Sequence, residues 1–454
     1  MKNWRKYLPL LALLTFPALP ALAAAEHAAE LKGPFATPMD VTKKCLECHP
    51  EAKKIMQTSH WTWSAKQTIP GKGEVDRGKK NIINNYCVSI AGNWPRCTSC
   101  HIGYGYRDNS FDFSDSSRID CLVCHDTTGK YKKAPPGAGM PVDGLDLAAI
   151  AQSVGKPNRS DCGACHFFGG GGDAVKHGDL DSSQANPTRE IDVHLSKMVC
   201  QECHKTKDHA IQGAALVVNP SNAKHIGCTT NCHKEAPHAS DRLNKHTSRV
   251  ACQTCHIPTY AKTIGTKTSW DWSTAGQDKP LEKDASGHVT YDKMKGNFTW
   301  EKNIVPVYMW CNGTADVYLT GDKIDPAKVT DLNRPVGSKA DPNSRISPFK
   351  KFTGKQPYDA KNLIFVTPKL FGKEPPAYWA AYDWNKAIEA GMKASGLPYS
   401  GEYAFAPTEM FWALNHMVSP KEMALKCGDC HGEKATRLDW KALGYDKDPG
   451  KAAE

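Results

Sequence analysis

A fold of short α-helices and loops around a thin side-chain core is predicted by three observations. Hydrophobic residues make up only 40% of the 454 residues, below the roughly 45–50% that is usual for globular chains. The 36 glycines and 30 prolines favour turns over long elements. Seven pentapeptides with two cysteines and a histidine recur along the chain. Something other than side chains is therefore expected to fill much of the interior.

The seven pentapeptides follow the pattern C-x-x-C-H, which attaches c-type haem: the two thiols bond to the haem, and the histidine is the proximal iron ligand. An eighth stretch, CTTNCH, has one extra residue between its cysteines. Zinc knuckles and CxxC redox sites are excluded because a histidine follows the second cysteine every time. In chain order, the eight motifs are Cys45-Cys48-His49, Cys97-Cys100-His101, Cys121-Cys124-His125, Cys162-Cys165-His166, Cys200-Cys203-His204, Cys228-Cys232-His233, Cys252-Cys255-His256 and Cys427-Cys430-His431.

The predicted class is thus a multihaem cytochrome c, mainly α-helix and loop wrapped around eight haems, with minor β-hairpins in residues 260–415. The hairpins are predicted from the stretches TSWDWSTAGQ, GHVTYD, GNFTWEKN and IVPVYMW, in which β-branched and aromatic residues lie between turn formers. Four segments are predicted: a signal peptide at 1–23, a seven-haem region at 24–260, a haem-poor α+β segment at 261–415 and a C-terminal haem-binding segment at 416–454.

Two helices are predicted near the end of the chain. One begins at Pro375 and is stopped by Gly396. The other opens with a capping box, in which Ser419 is the N-cap, Pro420 follows at N1 and Glu422 stands at N3.

The N-terminus has the pattern of a cleavable signal peptide. A basic region with Lys2, Arg5 and Lys6 precedes a short apolar stretch and the small-residue site Ala21-Leu22-Ala23. An uncleaved membrane anchor is disfavoured by the prolines within the apolar stretch. The mature protein is expected to be periplasmic and not to span the membrane, since no later stretch approaches the ~20 apolar residues of a span.

The formal net charge of +10 does not indicate a nucleic-acid partner. Each haem brings two negatively charged propionates, which oppose the excess of lysine and arginine. The holoprotein is therefore expected to be near neutral, and neither nucleic acid nor a membrane surface is implied.

Ten histidines remain for the distal sides of the irons. His27 is expected to be mobile and His288 to be exposed, so neither is a candidate ligand. Eight candidates for eight irons would describe a pure electron carrier, in which every iron has two histidines. Lys176 reopens the question, because a neutral lysine amine is a ligand that a substrate can displace. The distal candidates are His60, His177, His194, His209, His225, His238, His246 and His416.

The chain resembles the octahaem tetrathionate reductases, which are periplasmic multihaem cytochromes. The resemblance rests on the order of the eight motifs, the segment GGGGDAVKHGDL, the unpaired Cys87 and the C-terminal stretch FWALNHMVSPKEMALKCGDCHG. It implies a fold related to ammonia-forming nitrite reductases and hydroxylamine oxidoreductases. It also implies a catalytic second haem at His101, with Lys176 on its distal side, bis-His ligation of the other seven and Cys87 near the pocket.

One departure and one analogy qualify this resemblance. None of the motifs ends in lysine, so a lysine on the proximal side is excluded and the nitrite reductase mechanism is not implied. A calcium ion near the catalytic haem is suggested by analogy alone, without a ligand motif.

The expected reaction is the two-electron reduction of tetrathionate to thiosulfate. Either Lys176 leaves the iron to admit the substrate, or a Cys87 thiolate, its pKa lowered by Arg96 and nearby lysines, attacks the S–S bond. A disulfide between Cys87 and Cys311 is the alternative for these two cysteines. The alternative functions are reduction of nitrite or hydroxylamine, and a non-catalytic electron carrier. An upstream donor such as a quinol-linked cytochrome is expected to supply the electrons.

Overall fold

The computed structural model of the chain describes residues 27–213 and 226–450. The predicted signal peptide and the candidate ligand His225 lie outside these ranges. The described residues form two kinds of architecture: short helices at the cysteine motifs, and a large sheet between the seventh and the eighth motif. Within the described ranges, no helix has the length and apolar character needed to cross a membrane.

Short helices carry the cysteine motifs. Because residues three apart share a helix face, a C-x-x-C stretch needs only about one turn to present both thiols to one haem. The helix of the first motif, Pro38–Cys48, is closed at its N-terminus by a capping box between Thr37 and Asp40. The other α-helices of the motif-bearing regions are Ser59–Thr62, Trp94–Cys97, Leu122–His125, Leu147–Gln152, Arg159–His166, Cys200–Cys203, Cys228–Asn231, Asp241–His246, Cys252–His256 and Cys427–Cys430.

Strands are concentrated in the haem-poor segment. They are β1 (Ala65–Ile69), β2 (Gly73–Arg77), β3 (Thr206–Lys207), β4 (Ala210–Ile211), β5 (Thr266–Asp271), β6 (Glu282–Lys283), β7 (Val289–Asp292), β8 (Gly296–Glu301), β9 (Val307–Cys311), β10 (Ala315–Val317), β11 (Thr330–Pro335), β12 (Arg345–Asp359), β13 (Ile364–Phe365) and β14 (Tyr403–Ala413). Strands β1–β2 and β3–β4 are separate pairs, and the other ten form one mixed sheet in the order β10-β11-β14-β12-β5-β8-β7-β6, with β9 and β13 paired to β12.

Strand β12 is the centre of the large sheet. It pairs with β14 in antiparallel register from Phe349–Ala413 to Asp359–Tyr403. On its other side it bonds to β5 in parallel and to β9 in antiparallel register. Buried Trp270, Phe352 and Trp412 belong to the core that packs on this sheet.

The sheet corrects the prediction of minor β-hairpins in residues 260–415. Strands at the four predicted stretches are confirmed as β5, β7, β8 and β9. The sequence pattern does not identify β12 and β14, because Pro348, Pro357 and Pro407 lie within them and proline weakens a strand prediction. The parallel pairings β11–β14 and β12–β5 join distant segments and leave no turn signal to recognise.

The predicted helix from residue 375 is confirmed only in its second half. Gly396, with φ +70°, ends the helix Trp384–Ser395 as expected. A separate turn, Tyr378–Ala381, precedes it, because Tyr382 adopts a left-handed conformation between the two.

The predicted capping box at Ser419 is wrong. Only a 3₁₀ turn forms there, at Lys421–Met423, and Pro420 stands at its N-cap position. The Ser419 hydroxyl instead accepts a hydrogen bond from the Lys262 amine at 2.9 Å, so a tertiary contact replaces the local cap.

Candidate active site

A large cavity runs through the motif-bearing region, with a volume of about 5180 Å³. Its walls include at least one cysteine from each of the first seven motifs. Protein interiors are close-packed and seldom contain voids larger than a water molecule. A cavity of this size, lined by attachment cysteines, therefore fits the haems that the motifs predict.

Seven of the motif histidines each face a second histidine ring. The ring centres lie 6.1–6.3 Å apart in every pair. A metal–imidazole bond is about 2 Å long, so two such bonds with half a ring on each side span about 6 Å. Each pair is thus spaced to hold one iron. The pairs are His49–His27, His125–His209, His166–His60, His204–His416, His233–His194, His256–His238 and His431–His246.

Six of the eight predicted distal ligands occupy such pairs. His177 does not: its ring packs on Trp412 with centres 4.9 Å apart. His225 lies outside the described residues. His288, which was not a candidate, stacks on Trp300 at 4.8 Å.

The ring of His27 lies opposite that of His49. The expectation that His27 is mobile and not a candidate ligand is therefore corrected. A helical turn at residues 27–30 leads into Leu31, whose amide donates to the His27 carbonyl at 2.8 Å. Leu31 is buried in a cluster with Val41 of the first-motif helix. This apolar contact holds His27 beside the first motif, although it lies near the predicted mature N-terminus.

His101 of the second motif is placed differently from the other seven motif histidines. It is fully buried, whereas the other seven are partly buried or exposed. Burial lowers the pKa of His101 to about 3, so its ring is neutral. Its Nε2 donates to the Trp61 carbonyl at 2.6 Å. The rings whose centres lie within 6.0 Å of it are Trp61, Trp63, Tyr106, Phe111 and Phe113.

Aromatic rings surround the imidazole, and its Nε2 is bound to a carbonyl instead of facing a second histidine. The role of His101 as the proximal ligand of the second haem stays a prediction. The sequence indicates the aromatic surroundings of His101 through the many aromatic residues in HWTW at 60–63 and in YGYRDNSFDF at 104–113.

Lys176 projects into the cavity where the second and fourth motifs meet. Its amine interacts electrostatically with Cys100 of the second motif and Cys165 of the fourth. Burial and, to a smaller extent, the charge of Lys79 lower the pKa of Lys176 to about 8. More neutral amine is therefore available for binding a metal near neutral pH than an ordinary lysine provides.

The glycine run before Lys176 makes the close approach possible. A Cβ at Gly169 would lie 2.9 Å from the Lys176 amine and 3.1 Å from the Cys165 carbonyl oxygen. Gly170 and Gly171 have φ values of +81° and +98°, which side chains rarely adopt. The predicted tight turn at these glycines is thus present.

Cys87 lies beside the same turn. Its sulfur donates to the Gly170 carbonyl at 3.6 Å. Burial raises the pKa of the Cys87 thiol, although Lys267, Lys295, Arg96 and Lys79 act in the opposite direction. The positive neighbours lower the pKa as expected, but the predicted net lowering is wrong, because desolvation is the larger effect.

The alternative disulfide between Cys87 and Cys311 is not formed, since both thiols are free. Cys311 ends β9, and its sulfur accepts a hydrogen bond from the Gly313 amide at 3.4 Å. Burial raises the pKa of Cys311 as well.

A solved structure matches nearly the whole chain: the octahaem cytochrome c of Shewanella oneidensis. The two proteins are 55% identical, the match covers 94% of this chain and 98% of that one, and the TM-score is 0.88. The chain belongs to the octahaem cytochromes c. A family model described as bacterial cytochrome c matches residues 267–434. An uncharacterised protein of Archaeoglobus fulgidus is 24% identical, with 38% of this chain and 75% of that protein covered.

Covalently bound c-type haems account for the cysteine motifs of this octahaem cytochrome. Attachment cysteines of different motifs contact each other, so the haems that they hold are neighbours. The contacts join the first motif to the third, the second to the fourth, the fourth to the fifth and the sixth to the seventh. The pairs whose sulfur atoms lie close together are Cys45–Cys121, Cys100–Cys165, Cys162–Cys200 and Cys228–Cys252.

The calcium ion suggested by analogy gains no support from the structure of this chain. Among residues 27–213 and 226–450, no group of three or more histidine, cysteine, aspartate or glutamate side chains is arranged to hold a metal ion.

Proposed function

We propose that this octahaem cytochrome is a periplasmic reductase that delivers two electrons to tetrathionate and releases two thiosulfates. Eight haems take part: the one at the second motif is the reaction site, and the other seven conduct electrons. One observation carries the proposal. Seven motif histidines face a second histidine, whereas among the described residues His101 faces none and Lys176 reaches the second motif.

His101 and Lys176 would hold the haem at the second motif, the histidine as the motif's own ligand and the amine as a second ligand that a substrate can displace. When bound, the haem would supply single-electron transfer and a coordination position for a sulfur or oxygen atom. Lys176 comes from another part of the chain and would take the role that a second histidine has at the other seven motifs.

The surroundings of the second motif suit a dianion. Lys79, Lys80 and Arg96 line the cavity near Cys87. Clustered positive charge in a partly enclosed site raises the local concentration of anions and orients them. Two electrons enter the central S–S bond of tetrathionate, this bond breaks, and each half leaves as thiosulfate. The reaction consumes no proton.

The thiolate route through Cys87 has less support than direct reduction. Because burial raises its pKa, the thiol is protonated at neutral pH and is a poor nucleophile. Cys87 is assigned a supporting role, in which its sulfur lines the pocket and binds the Gly170 carbonyl.

Electrons are proposed to enter from an upstream donor such as a quinol-linked cytochrome. Cys48, Cys228 and Cys427 are exposed, so the first, sixth and eighth motifs lie nearest the surface. Electrostatic interactions of Cys124 with Cys162, Cys203 with Cys232 and Cys255 with Cys427 join these motifs to the fourth through the cysteine contacts given above. The Cys100–Cys165 contact then leads from the fourth motif to the second.

Turnover of tetrathionate, nitrite and hydroxylamine by the holoprotein, with a reduced viologen as donor, tests the substrate. We expect the highest kcat/KM for tetrathionate. A higher value for nitrite or hydroxylamine would overturn the choice of substrate, because either small molecule also fits an open iron position.

Electron paramagnetic resonance of the resting holoprotein tests the site separately. We expect seven centres with bis-histidine signals and one that differs. A protein with eight bis-histidine centres and no turnover of any of the three substrates would instead be an electron carrier.

A further inference from the structure

Residues of the large sheet, and one just before β5, donate hydrogen bonds to successive backbone carbonyls around Lys176. The Thr266 hydroxyl, at the start of β5, donates to the Ala174 carbonyl at 2.6 Å and lies 3.1 Å from the His177 carbonyl. The Gly178 carbonyl accepts from the Ala261 amide at 2.8 Å. These contacts begin two residues before Lys176 and end two residues after it.

Lys350 of β12 binds the two carbonyls between these. Its amine lies 3.0 Å from the Val175 carbonyl, 3.2 Å from the Lys176 carbonyl and 2.5 Å from the Thr266 hydroxyl. Three acceptors match the three N–H donors of an ammonium group. Since Thr266 accepts from Lys350, its own proton is available for the Ala174 carbonyl.

A lysine at this position is electrostatically unfavourable. Lys350 is fully buried, and its amine lies among backbone carbonyls without reaching solvent. An apolar side chain of similar length would fill the same space without that desolvation. The amine is therefore best explained by the carbonyls that it binds.

The chain before Lys176 does not fix its own path. The glycine run at 169–172 lacks side chains to pack, and two of its members have positive φ. Such a segment is conformationally permissive, so a ligand carried on it loses much freedom when it is held in place. Hydrogen bonds from Lys350 and Thr266 order the backbone after the glycines before the amine binds iron. Less conformational entropy is therefore lost when Lys176 binds.

We infer that Lys350 and Thr266 are positioning residues for Lys176, which hold the backbone of residues 174–177 so that its amine stays at the second motif. The inference rests on the proposed function, in which Lys176 is an axial ligand. It gives the haem-poor sheet a role in the reaction: β5 and β12 act on the second haem through the lysine segment, without providing an axial ligand.

The test uses the full holoprotein with Lys350→Met and Thr266→Val, which remove the donors at nearly constant volume. We expect the resonance signal of the second haem to be lost or shifted in at least half of the molecules, and kcat/KM to fall by about 10- to 100-fold, as for other groups that orient a metal ligand. The seven bis-histidine signals should be unchanged, which a general loss of folding would not allow.

Two matched controls are available. Lys351→Met changes the neighbouring residue on β12, whose exposed amine pairs with Glu409. Thr266→Ser retains the hydroxyl. Both should keep the second-haem signal and stay within about twofold in kcat/KM, a change smaller than one ordinary hydrogen bond produces.

Retention of the native second-haem signal in both Lys350→Met and Thr266→Val would overturn the inference. If Lys350→Met fails to assemble eight haems, Thr266→Val decides alone, because it removes a single hydroxyl. Lys176→Ala, measured alongside, separates the two proposals. An unchanged second-haem signal in Lys176→Ala overturns the proposed function, whereas a changed signal there with native signals in both positioning variants overturns only this inference.

Discussion

The second and the fourth motif share a pentapeptide pattern but place their histidines in opposite ways. Their cysteines Cys100 and Cys165 lie close together, so the two haems are neighbours. His166 of the fourth motif faces His60 with ring centres 6.2 Å apart. His101 of the second donates to a backbone carbonyl among aromatic rings. The motif therefore predicts where a haem is attached, while the surrounding chain decides whether a second histidine lies opposite.

One helical turn, Ser59–Thr62, produces both arrangements. His60 points toward His166, and the next residue, Trp61, offers the carbonyl and the ring that hold His101. Consecutive side chains on a helix point about 100° apart, so a single turn can serve two neighbouring sites. Adjacent residues thus give the second and the fourth motif different surroundings.

Of the substitutions considered, removal of the Lys176 amine should cause the largest loss of turnover and should affect the second motif but not the fourth. In Lys176→Ala the second haem loses its amine ligand, so tetrathionate turnover should fall by at least about 100-fold, the upper end of what supporting groups of a metal site contribute. The optical and resonance signals of the other seven haems should remain. Turnover assays and electron paramagnetic resonance of the same preparation measure both.

His177→Phe is the control for this change. It alters the neighbouring residue and keeps a ring against Trp412. We expect turnover within about threefold of the parent, since loss of one surface or packing contact seldom exceeds about 1 kcal/mol. Equal losses in both variants would mean that the segment, and not the Lys176 amine, matters.

Attachment and much of the ligation could be predicted from the sequence, because C-x-x-C-H is local and histidines are few. The placement of His101 could not, because its aromatic surroundings combine residues 61–63 with 106–113. The pairing of His27 also escapes sequence reasoning, since it depends on Leu31 packing against Val41. The extent of the large sheet depends on pairings between distant strands, such as β12 with β14.

Substitution of His60 or of His101 should reduce turnover less than removal of Lys176. His60→Ala opens the fourth haem, which conducts toward the second, so we expect a new high-spin signal and about a 10-fold loss of turnover. His101→Gln removes the imidazole of the second motif and keeps an N–H for the Trp61 carbonyl, so the second-haem signal should change while the seven bis-histidine signals remain. Resonance spectra of both variants provide the comparison. An unchanged second-haem signal in His101→Gln would show that His101 is not an iron ligand.

The Cys87 thiol should react slowly at neutral pH and faster in alkali. Its pKa is raised by burial, so the thiolate is the minor form near pH 7 and increases about tenfold per pH unit until the pKa is reached. Alkylation by iodoacetamide in a Cys311→Ser background, which leaves Cys87 as the free thiol, measures this profile. Cys87→Ser should lose less than about tenfold in turnover, within the range of a general positioning contact. A plateau of alkylation below pH 7, or complete loss of turnover in Cys87→Ser, would restore the thiolate route.

The smallest expected effect concerns the midpoint potential of the eighth haem, whose motif histidine has a different hydrogen-bond partner from that of the third motif. His431 of the eighth motif donates from Nδ1 to the Asp448 carboxylate at 2.6 Å, whereas the corresponding nitrogen of His125 donates to the Gly155 carbonyl at 2.7 Å. A carboxylate partner makes a ligating imidazole more basic and stabilises ferric iron. Asp448→Asn keeps an oxygen acceptor and removes the charge, so the midpoint potential of the eighth haem should rise by about 50 mV, which corresponds to about 1.2 kcal/mol for one electron.

Spectroelectrochemical titration of the holoprotein measures this shift, and Asp446→Asn, an exposed aspartate two residues earlier, is the control for the loss of one charge. We expect no shift beyond about 10 mV in the control, because exposed charges are screened by solvent and salt. Tetrathionate turnover should be unchanged in both variants, since neither residue lies near the second motif. Equal shifts in the two variants would mean that net charge, and not the hydrogen bond to His431, sets the potential of the eighth haem.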